Sequence, residues 1–339
     1  MPGVAVTGGA GFLGSNIVRR LADEGRDAVI IDDFSSGSEQ NLSDLGLRNR
    51  CVRGDLRDHG FAKRSLEGVD TVFHFAAEVG NATYLHGSDL KELAALHANL
   101  VIDANVFRAC VENHVGTVIF ASSVSVYPFG EQLGRSAHFR EEDSERSVDP
   151  EGGYGWAKYI AEKQLQLMAG VSYGVARIFH AYGRNIYIKP DRSQVIASFI
   201  RKAINYPKEG FVVLGDGTQK RCFVFVDDVL DAIMLLERHT KERGSLTVNV
   251  GSTDEVTVRE LAERVVALSG KDIPLNFDGS KPVGALSRKP DLGRAKEVLG
   301  WSPATPLSEG LAETFKWAEE RLKTPGGRGH HGSGQPLKR

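Results

Sequence analysis

The stretch "VAVTGGAGFLGSNIV", residues 4–18, constrains the fold of this chain more than any other. Val4-Ala5-Val6 is short, apolar and β-branched, as a buried strand is, and Ile17, Val18 and Leu21 recur at helical spacing. Gly8, Gly11 and Gly14 therefore fall in a strand-to-helix turn. Such a turn suits a phosphate group. One glycine makes the tight bend, another lets the backbone approach the anion, and the third lets the helix pack on the strand, while the helix N-terminus supplies N–H donors.

A second strand follows in "DAVIIDDFSSG" and ends on Asp32 and Asp33, with Asp32 eighteen residues past Gly14. A carboxylate there accepts hydrogen bonds from ribose hydroxyls and repels the additional phosphate of NADP. No Arg or Lys lies between Asp32 and Gln40, so the expected cofactor is NAD.

Further β-rich runs, "CVRGDL", "TVFHFAA" and "TVIFASS", alternate with helical stretches up to about residue 125. That rhythm predicts βαβ units on a doubly wound parallel sheet of Rossmann type. We expect this NAD-binding domain to span residues 1–182, and residues 183–323 to form mainly a smaller, mixed α/β substrate lobe with some segments returning to the first domain. "VARIFHAYG" and "FVVLGDG" read as strands, and "DVLDAIMLLERH" as a helix. "TVRELAERVVALSG" reads as a helix with its N-cap at Thr257 and its stop at Gly270, and "LSEGLAETFKWAEERLK" as another helix. Residues 324–339 are Gly- and Pro-rich with little apolar content, which predicts a disordered tail. His330-His331 belongs to that tail and is read as solvated.

With 42 basic and 44 acidic residues the formal net charge is −2, so nothing electrostatic points to nucleic acid or an anionic membrane as partner. No apolar run reaches eighteen residues and the first strand starts at Val4, so we expect no membrane span, no leader peptide and a cytoplasmic location. Cys51, Cys110 and Cys222 are scattered, without a C-x-x-C, and are read as thiols rather than as disulfide or metal ligands; no metal site is expected.

"YGWAK" sets Tyr154 and Lys158 four residues apart at the start of a helical pattern, on one face. A phenol, with a reference pKa of about 10, becomes a base near neutrality only when something favours its anion, and a neighbouring ammonium does that. Upstream, "FASSVSVYP" ends a parallel strand with Ser122 and Ser123 at the edge where open α/β sheets bind ligands.

These motifs, in this order, resemble the extended short-chain dehydrogenase/reductase family, in its branch of NAD-dependent nucleotide-sugar epimerases and dehydratases. The resemblance covers roughly residues 3 to 320 and rests on "TGGAGFLGS", "GDLRD", "HFAAE", Asn99, "SSVSVYP", "YGWAK", "GDGTQKRCFVFVDDV" and "RKPDLGRAKEVLGW". It implies that Ser123, Tyr154 and Lys158 are the catalytic set. It further implies that Gly8, Gly11, Phe12, Leu13, Gly14, Asp32, Asp33, Asp55, Leu56, Phe75, Ala76, Ala77 and Asn99 hold the cofactor together with Tyr154 and Lys158. Ser123, His180, Gln194, Arg221 and Arg288 would bind a nucleotide-diphosphate sugar, the two arginines clamping its diphosphate. A homodimer through residues 89–113 and 155–169 is also implied.

The resemblance extends to how the branches differ. Relatives that dehydrate or decarboxylate carry acids after the catalytic Ser/Thr, where this chain has Val124 and Ser125, so both reactions are disfavoured. Simple 4-epimerases need no further acid or base there, which makes C4 epimerisation with recycled NAD the expected activity. The alternative comes from "AAEVG", the Pro in "SSVSVYP" and "VGALSRKPD", which also resemble the GDP-mannose 3,5-epimerases. In those enzymes a Lys and a Cys invert two carbons, and the corresponding places here hold Lys189 and Ser125. A ketoreductase would be expected to carry a basic residue near Asp32, and a non-catalytic NAD-binding regulator would be free to lose Tyr154 or Lys158. Both fit less well. His180 replaces a usual Asn and is read as a core residue satisfying backbone, and Arg184 replaces a usual Pro and is read as reaching an anion.

Overall fold

The computed structural model describes residues 3–47, 50–133, 137–280 and 285–323. The expected tail, residues 324–339, lies outside the described residues. Five strands fall where the apolar runs placed them: β1 (Val4–Thr7), β2 (Ala28–Asp32), β3 (Cys51–Arg53), β4 (Thr71–His74) and β5 (Thr117–Ser123). Ser172–Ile178 and Leu246–Val250 complete a seven-stranded sheet, whose order is Leu246–Val250, Ser172–Ile178, β5, β4, β1, β2, β3. Its pairings are all parallel, with Val6 opposite Ile30 on one side and Phe73 on the other.

Alternation along these strands fills two cores. Val4, Val6, Ile30, Phe73 and Ile119 pack with Ile17, Leu21 and Ile233 on one face. Ala5, Ile31, Val72, Val118 and Phe120 pack with Leu66, Val106 and Leu165 on the other. Helices Phe12–Asp23 and Val226–Arg243 cover the first face, and helices Asp89–Glu112 and Gly152–Gln166 pack on each other over the second. The sequence reading did not identify Leu246–Val250 as part of the sheet.

Between and beyond these elements, a smaller assembly packs helices Val195–Asn205, Val258–Ser269 and Leu307–Lys323 with short strand pairs. Thr257 caps its helix in a reciprocal box with Glu260, and Gly270 ends it at φ 64°, as the residue types predicted. Strand Lys220–Cys222 pairs antiparallel with Glu255–Thr257, and strand Arg288–Pro290 pairs with Ala137–Phe139. Those two pairings bring Arg221 and Arg288 back toward the edge where β1, β2, β4 and β5 end. The strand order turns around between β1 and β4, the point at which such sheets open a crevice.

Candidate active site

A cavity of about 1260 Å³ runs along that edge. At one end the glycine turn is packed against the chain that follows β4. Gly8 has φ 64°, and a Cβ on it would lie 2.7 Å from the Ala76 nitrogen; one on Gly14 would lie 2.1 Å from the Gly8 oxygen. No side chain caps helix Phe12–Asp23, and its first turn carries no acid. This is a cradle for an anion, and with Asp32 at the neighbouring strand end the residues fit NAD.

Asp32, the residue expected to face a ribose, is itself tied into the turn. Its two carboxylate oxygens accept from the Ala10 N–H at 2.9 Å and the Phe34 N–H at 2.7 Å, tying the glycine turn to the next loop. Burial raises its pKa, and those two donors oppose the shift. Gly11, Phe12, Leu13, Asp33, Asp55, Leu56, Phe75, Ala76 and Ala77 line the same end, with Asp55 held below the usual carboxylate range by Arg57. Asn99 stands behind this wall and does not line it. Its amide accepts from the Glu78 N–H at 2.9 Å and donates to the Glu78 carbonyl at 3.0 Å, so it fixes the loop that forms the wall.

Arg321 was not foreseen at this end. Helix Leu307–Lys323 delivers it to Asn41 at 2.7 Å, Asp44 at 3.0 Å and Ser38 at 3.3 Å, and Asn41 in turn donates to the Ala10 carbonyl at 2.9 Å. A cation thus reaches the loop after Asp32 from almost three hundred residues away, with Asp44 to neutralise it.

At the centre, Ser123, Tyr154 and Lys158 come together. The Tyr154 phenol hydrogen-bonds the Ser123 hydroxyl. Lys158 Nζ lies 5.9 Å from the Tyr154 ring centroid and 4.4 Å above the Phe120 ring. Burial pushes the Tyr154 pKa up, the Ser123 bond opposes this, and Asp103 adds to the rise. Burial lowers the Lys158 pKa, and Asp103 and Glu162 restore part of it. Asp103 accepts from His74 Nε2 at 2.9 Å, while His74 Nδ1 lies 2.6 Å from Thr7 Oγ1, and all three side chains are buried. Thr7 Oγ1 already accepts from the Phe75 and Ala76 N–H groups, so its proton goes to His74 Nδ1, and the neutral imidazole donates through Nε2 to Asp103. Ser122, next to Ser123, turns away and donates to buried Glu162 at 2.5 Å.

Arg221, Arg288, His180, Gln194, Lys189 and Ser125 line the other end. Arg221 donates to the Lys220 and Ala285 carbonyls at 2.7 and 2.9 Å; burial and the neighbouring Arg288 pull its pKa down to about 10. Arg288 stands close enough to disfavour the Arg221 charge, an arrangement that suits an anion between them. His180 meets the backbone at Cys222, as expected of a residue that satisfies backbone, and it also lines the cavity, at φ 44°. Burial, Arg221 and Arg288 hold its pKa well below the usual value, so it is neutral. Arg184 is corrected outright, since it pairs with Asp227 and does not line the cavity.

Sequence reasoning passed over several residues here. Arg192 lies 4.3 Å above the Tyr84 ring and 3.0 Å from Glu78. Glu151 bonds Arg288 at 2.5 Å and Ser125 at 3.1 Å. Its place three residues before Tyr154 was the available signal. All three cysteines are free, Cys110 and Cys222 buried and Cys51 half-buried, and burial raises each thiol. Among the described residues no cluster of three His, Cys, Asp or Glu is placed to hold a metal, and no helix is long and apolar enough to cross a membrane.

Comparison with known proteins agrees with this arrangement. GDP-mannose 3,5-epimerase of Arabidopsis thaliana is 30% identical over 332 residues, covering 94% of this chain and 83% of that protein. UDP-glucuronic acid decarboxylase 6 of the same plant is 31% identical, covering 91% and 86%. The structure of UDP-glucose 4-epimerase from Thermotoga maritima, solved with UDP-glucose, superimposes with a TM-score of 0.81 at 27% identity, covering 94% of this chain and 99% of that one. Residues 4–251 match the model of the NAD dependent epimerase/dehydratase family, and the chain belongs to that family.

Proposed function

We propose that this protein is a nucleotide-sugar epimerase that inverts carbon 4 through a transient 4-keto sugar. The observation that carries this reading is the Ser123–Tyr154–Lys158 set, lying between a nucleotide cradle and a pair of arginines in one cavity. The family cofactor, when bound, supplies a reversible hydride acceptor, held by the glycine turn, Asp32 and the Phe75–Ala77 wall. Tyr154 takes the proton of the sugar's 4-hydroxyl. Ser123 holds the oxygen as it becomes a carbonyl, and the Lys158 charge favours the tyrosinate that starts the step. Arg221 and Arg288 grip the diphosphate, so the keto sugar can turn over without leaving.

A second reading, inversion at carbons 3 and 5, draws on the similarity to the 3,5-epimerases and on Lys189, which lines the cavity. Proton NMR of the holoenzyme with UDP-, GDP- and dTDP-hexoses and UDP-glucuronate tests the assignment. A C4 epimer with every ring proton retained is the expected product. No change in any of these sugars would refute it.

We also read the protein as a homodimer. Leu90, Leu93 and Val101 on helix Asp89–Glu112 and Trp156 on helix Gly152–Gln166 leave apolar surface exposed on the two helices that pack together. Light scattering that gives the mass of one chain would refute this.

A further inference from the structure

Helix Leu307–Lys323 packs against helices Val195–Asn205 and Val258–Ser269 of the smaller assembly, yet its last turn ends at the cofactor side of the cavity. There Arg321 and Trp317, one turn apart on one helical face, line the cavity together with Ser38 and Asn41 of the segment after β2. The Arg321 side chain is only 14% exposed. Its Nη1 donates to Asp44 at 3.0 Å, and its Nη2 donates to Asn41 Oδ1 at 2.7 Å and to Ser38 Oγ at 3.3 Å.

The bond to Asn41 orients that amide. With Oδ1 engaged by a cation, Nδ2 faces the Ala10 carbonyl and donates to it at 2.9 Å, while the Ser38 N–H reaches the same carbonyl at 3.0 Å. The Ala10 N–H in turn donates to Asp32 Oδ2 at 2.9 Å. A line of hydrogen bonds thus runs from the end of the last helix through Asn41 and Ala10 to the carboxylate expected to accept the ribose hydroxyls. Helix Glu39–Ser43, which carries Asn41, is five residues long and buries only Asn41 and Leu42, so the segment depends on such ties to hold its place.

We propose that Arg321 is a clasp on the adenosine end of the cofactor: through Asn41 and Ser38 it holds the segment after β2 and the Asp32 carboxylate in the arrangement that grips the ribose, and so sets how slowly bound NAD leaves. Arg321 is a positioning residue, acting on the cofactor through its neighbours. The proposal takes from the family only its cofactor and does not depend on which carbon of the sugar is inverted. It bears on the reaction all the same, because an enzyme that takes hydride onto a nicotinamide and returns it from the same ring works only while that cofactor stays.

An ion pair that merely fastened the last helix to the segment would be complete with Asp44. Here Nη2 is committed to two neutral side chains that line the cavity, and the guanidinium is taken largely out of water to reach them, at a cost that Asp44 offsets in part.

The experiment is exchange of bound NAD. The full-length protein loaded with NAD is mixed with an excess of isotopically labelled NAD, and the labelled fraction bound is followed by mass spectrometry, beside thermal unfolding of the same samples. Arg321→Met is expected to speed exchange about tenfold or more, the scale of a lost charge-assisted hydrogen bond. Arg321→Lys keeps the charge and the Asp44 pair but loses the fork, so it is expected to melt with the wild type and still exchange faster. Asn41→Ala is expected to speed exchange by a similar factor, and Arg321→Met added to it to speed exchange little further, because the arginine acts through that amide. Exchange at the wild-type rate in Arg321→Lys overturns the clasp, whatever Arg321→Met does, and leaves the epimerase reading standing. Faster exchange accompanied by lower melting in Arg321→Lys overturns it as well, since that marks a loosened fold, and so does full additivity of the Arg321 and Asn41 substitutions. A wild type that neither carries nor takes up NAD removes the cofactor, and the clasp falls with it.

Discussion

The two ends of the cavity are assembled differently. At the cofactor end the shape is set by short stretches that follow strand ends directly: the glycine turn after β1, Asp32 closing β2 and the Phe75–Ala77 stretch after β4. At the sugar end Ser125, Glu151, His180, Arg221 and Arg288 come from separate elements, joined by hydrogen bonds and charge. The first end is defined by backbone, where a side chain would not fit. The second is defined by side chains competing for partners. Changes at the first are therefore expected to act on stability and cofactor retention, and changes at the second on substrate binding and chemistry.

Tyr154→Phe draws the sharpest line between the two. It removes the proton acceptor and is expected to lower turnover by about 10²- to 10⁴-fold, with bound NAD retained. Turnover within tenfold of wild type, measured on the sugar found by NMR, would break the assignment.

Gly14→Ala tests the cofactor end. The added methyl would meet the Gly8 carbonyl at 2.1 Å, so we expect a loss of about 1–3 kcal/mol in thermal unfolding and less NAD copurifying with the protein. An unshifted melting curve would mean that the turn gives way easily.

Arg288→Ala belongs to the sugar end. It should weaken binding of the nucleoside diphosphate about 10- to 100-fold by calorimetry while leaving NAD content as it was, the range of a lost charge-assisted hydrogen bond. A loss of NAD instead would show that the two ends are not separable.

Asp103→Asn is the mildest of the four and probes the junction. The Asp103 carboxylate raises the pKa of Tyr154 and of Lys158 alike. Removing its charge lowers both. Tyrosinate then forms at lower pH and the lysine loses its proton at lower pH, so both limbs of the pH–rate profile move down. His74 and Glu162 are the other titratable groups facing this cluster; Asp103 raises the His74 pKa, so its loss lowers that pKa further and His74 stays neutral in the variant. A profile that falls in height without moving would assign Asp103 a purely structural role.

What was legible before folding follows the same division. The five strands, the capped helix after Thr257 and the last helix were readable because each is written in consecutive residues, the strands as short apolar β-rich runs and the helices by a period of 3.6. Leu246–Val250 was missed because its place beside Ser172–Ile178 depends on a partner seventy residues earlier. Asn99 was assigned to the cofactor wall and proves to support it from behind. Arg184 was read as reaching for an anion and is neutralised by Asp227.

The sequence by itself determined the doubly wound sheet, the nucleotide cradle, its acidic neighbour and the Tyr154–Lys158 pair. These are local devices whose geometry follows from strand, turn and helix without reference to the rest of the chain. Only the tertiary structure decided which charges meet. It brought Arg321 to the loop after Asp32, buried Asp103 against His74 within electrostatic reach of Lys158, and set Glu151 between Ser125 and Arg288. The reason is physical: a side chain's protonation and partners depend on what burial and packing put within a few ångströms of it, and no spacing along the chain encodes that distance.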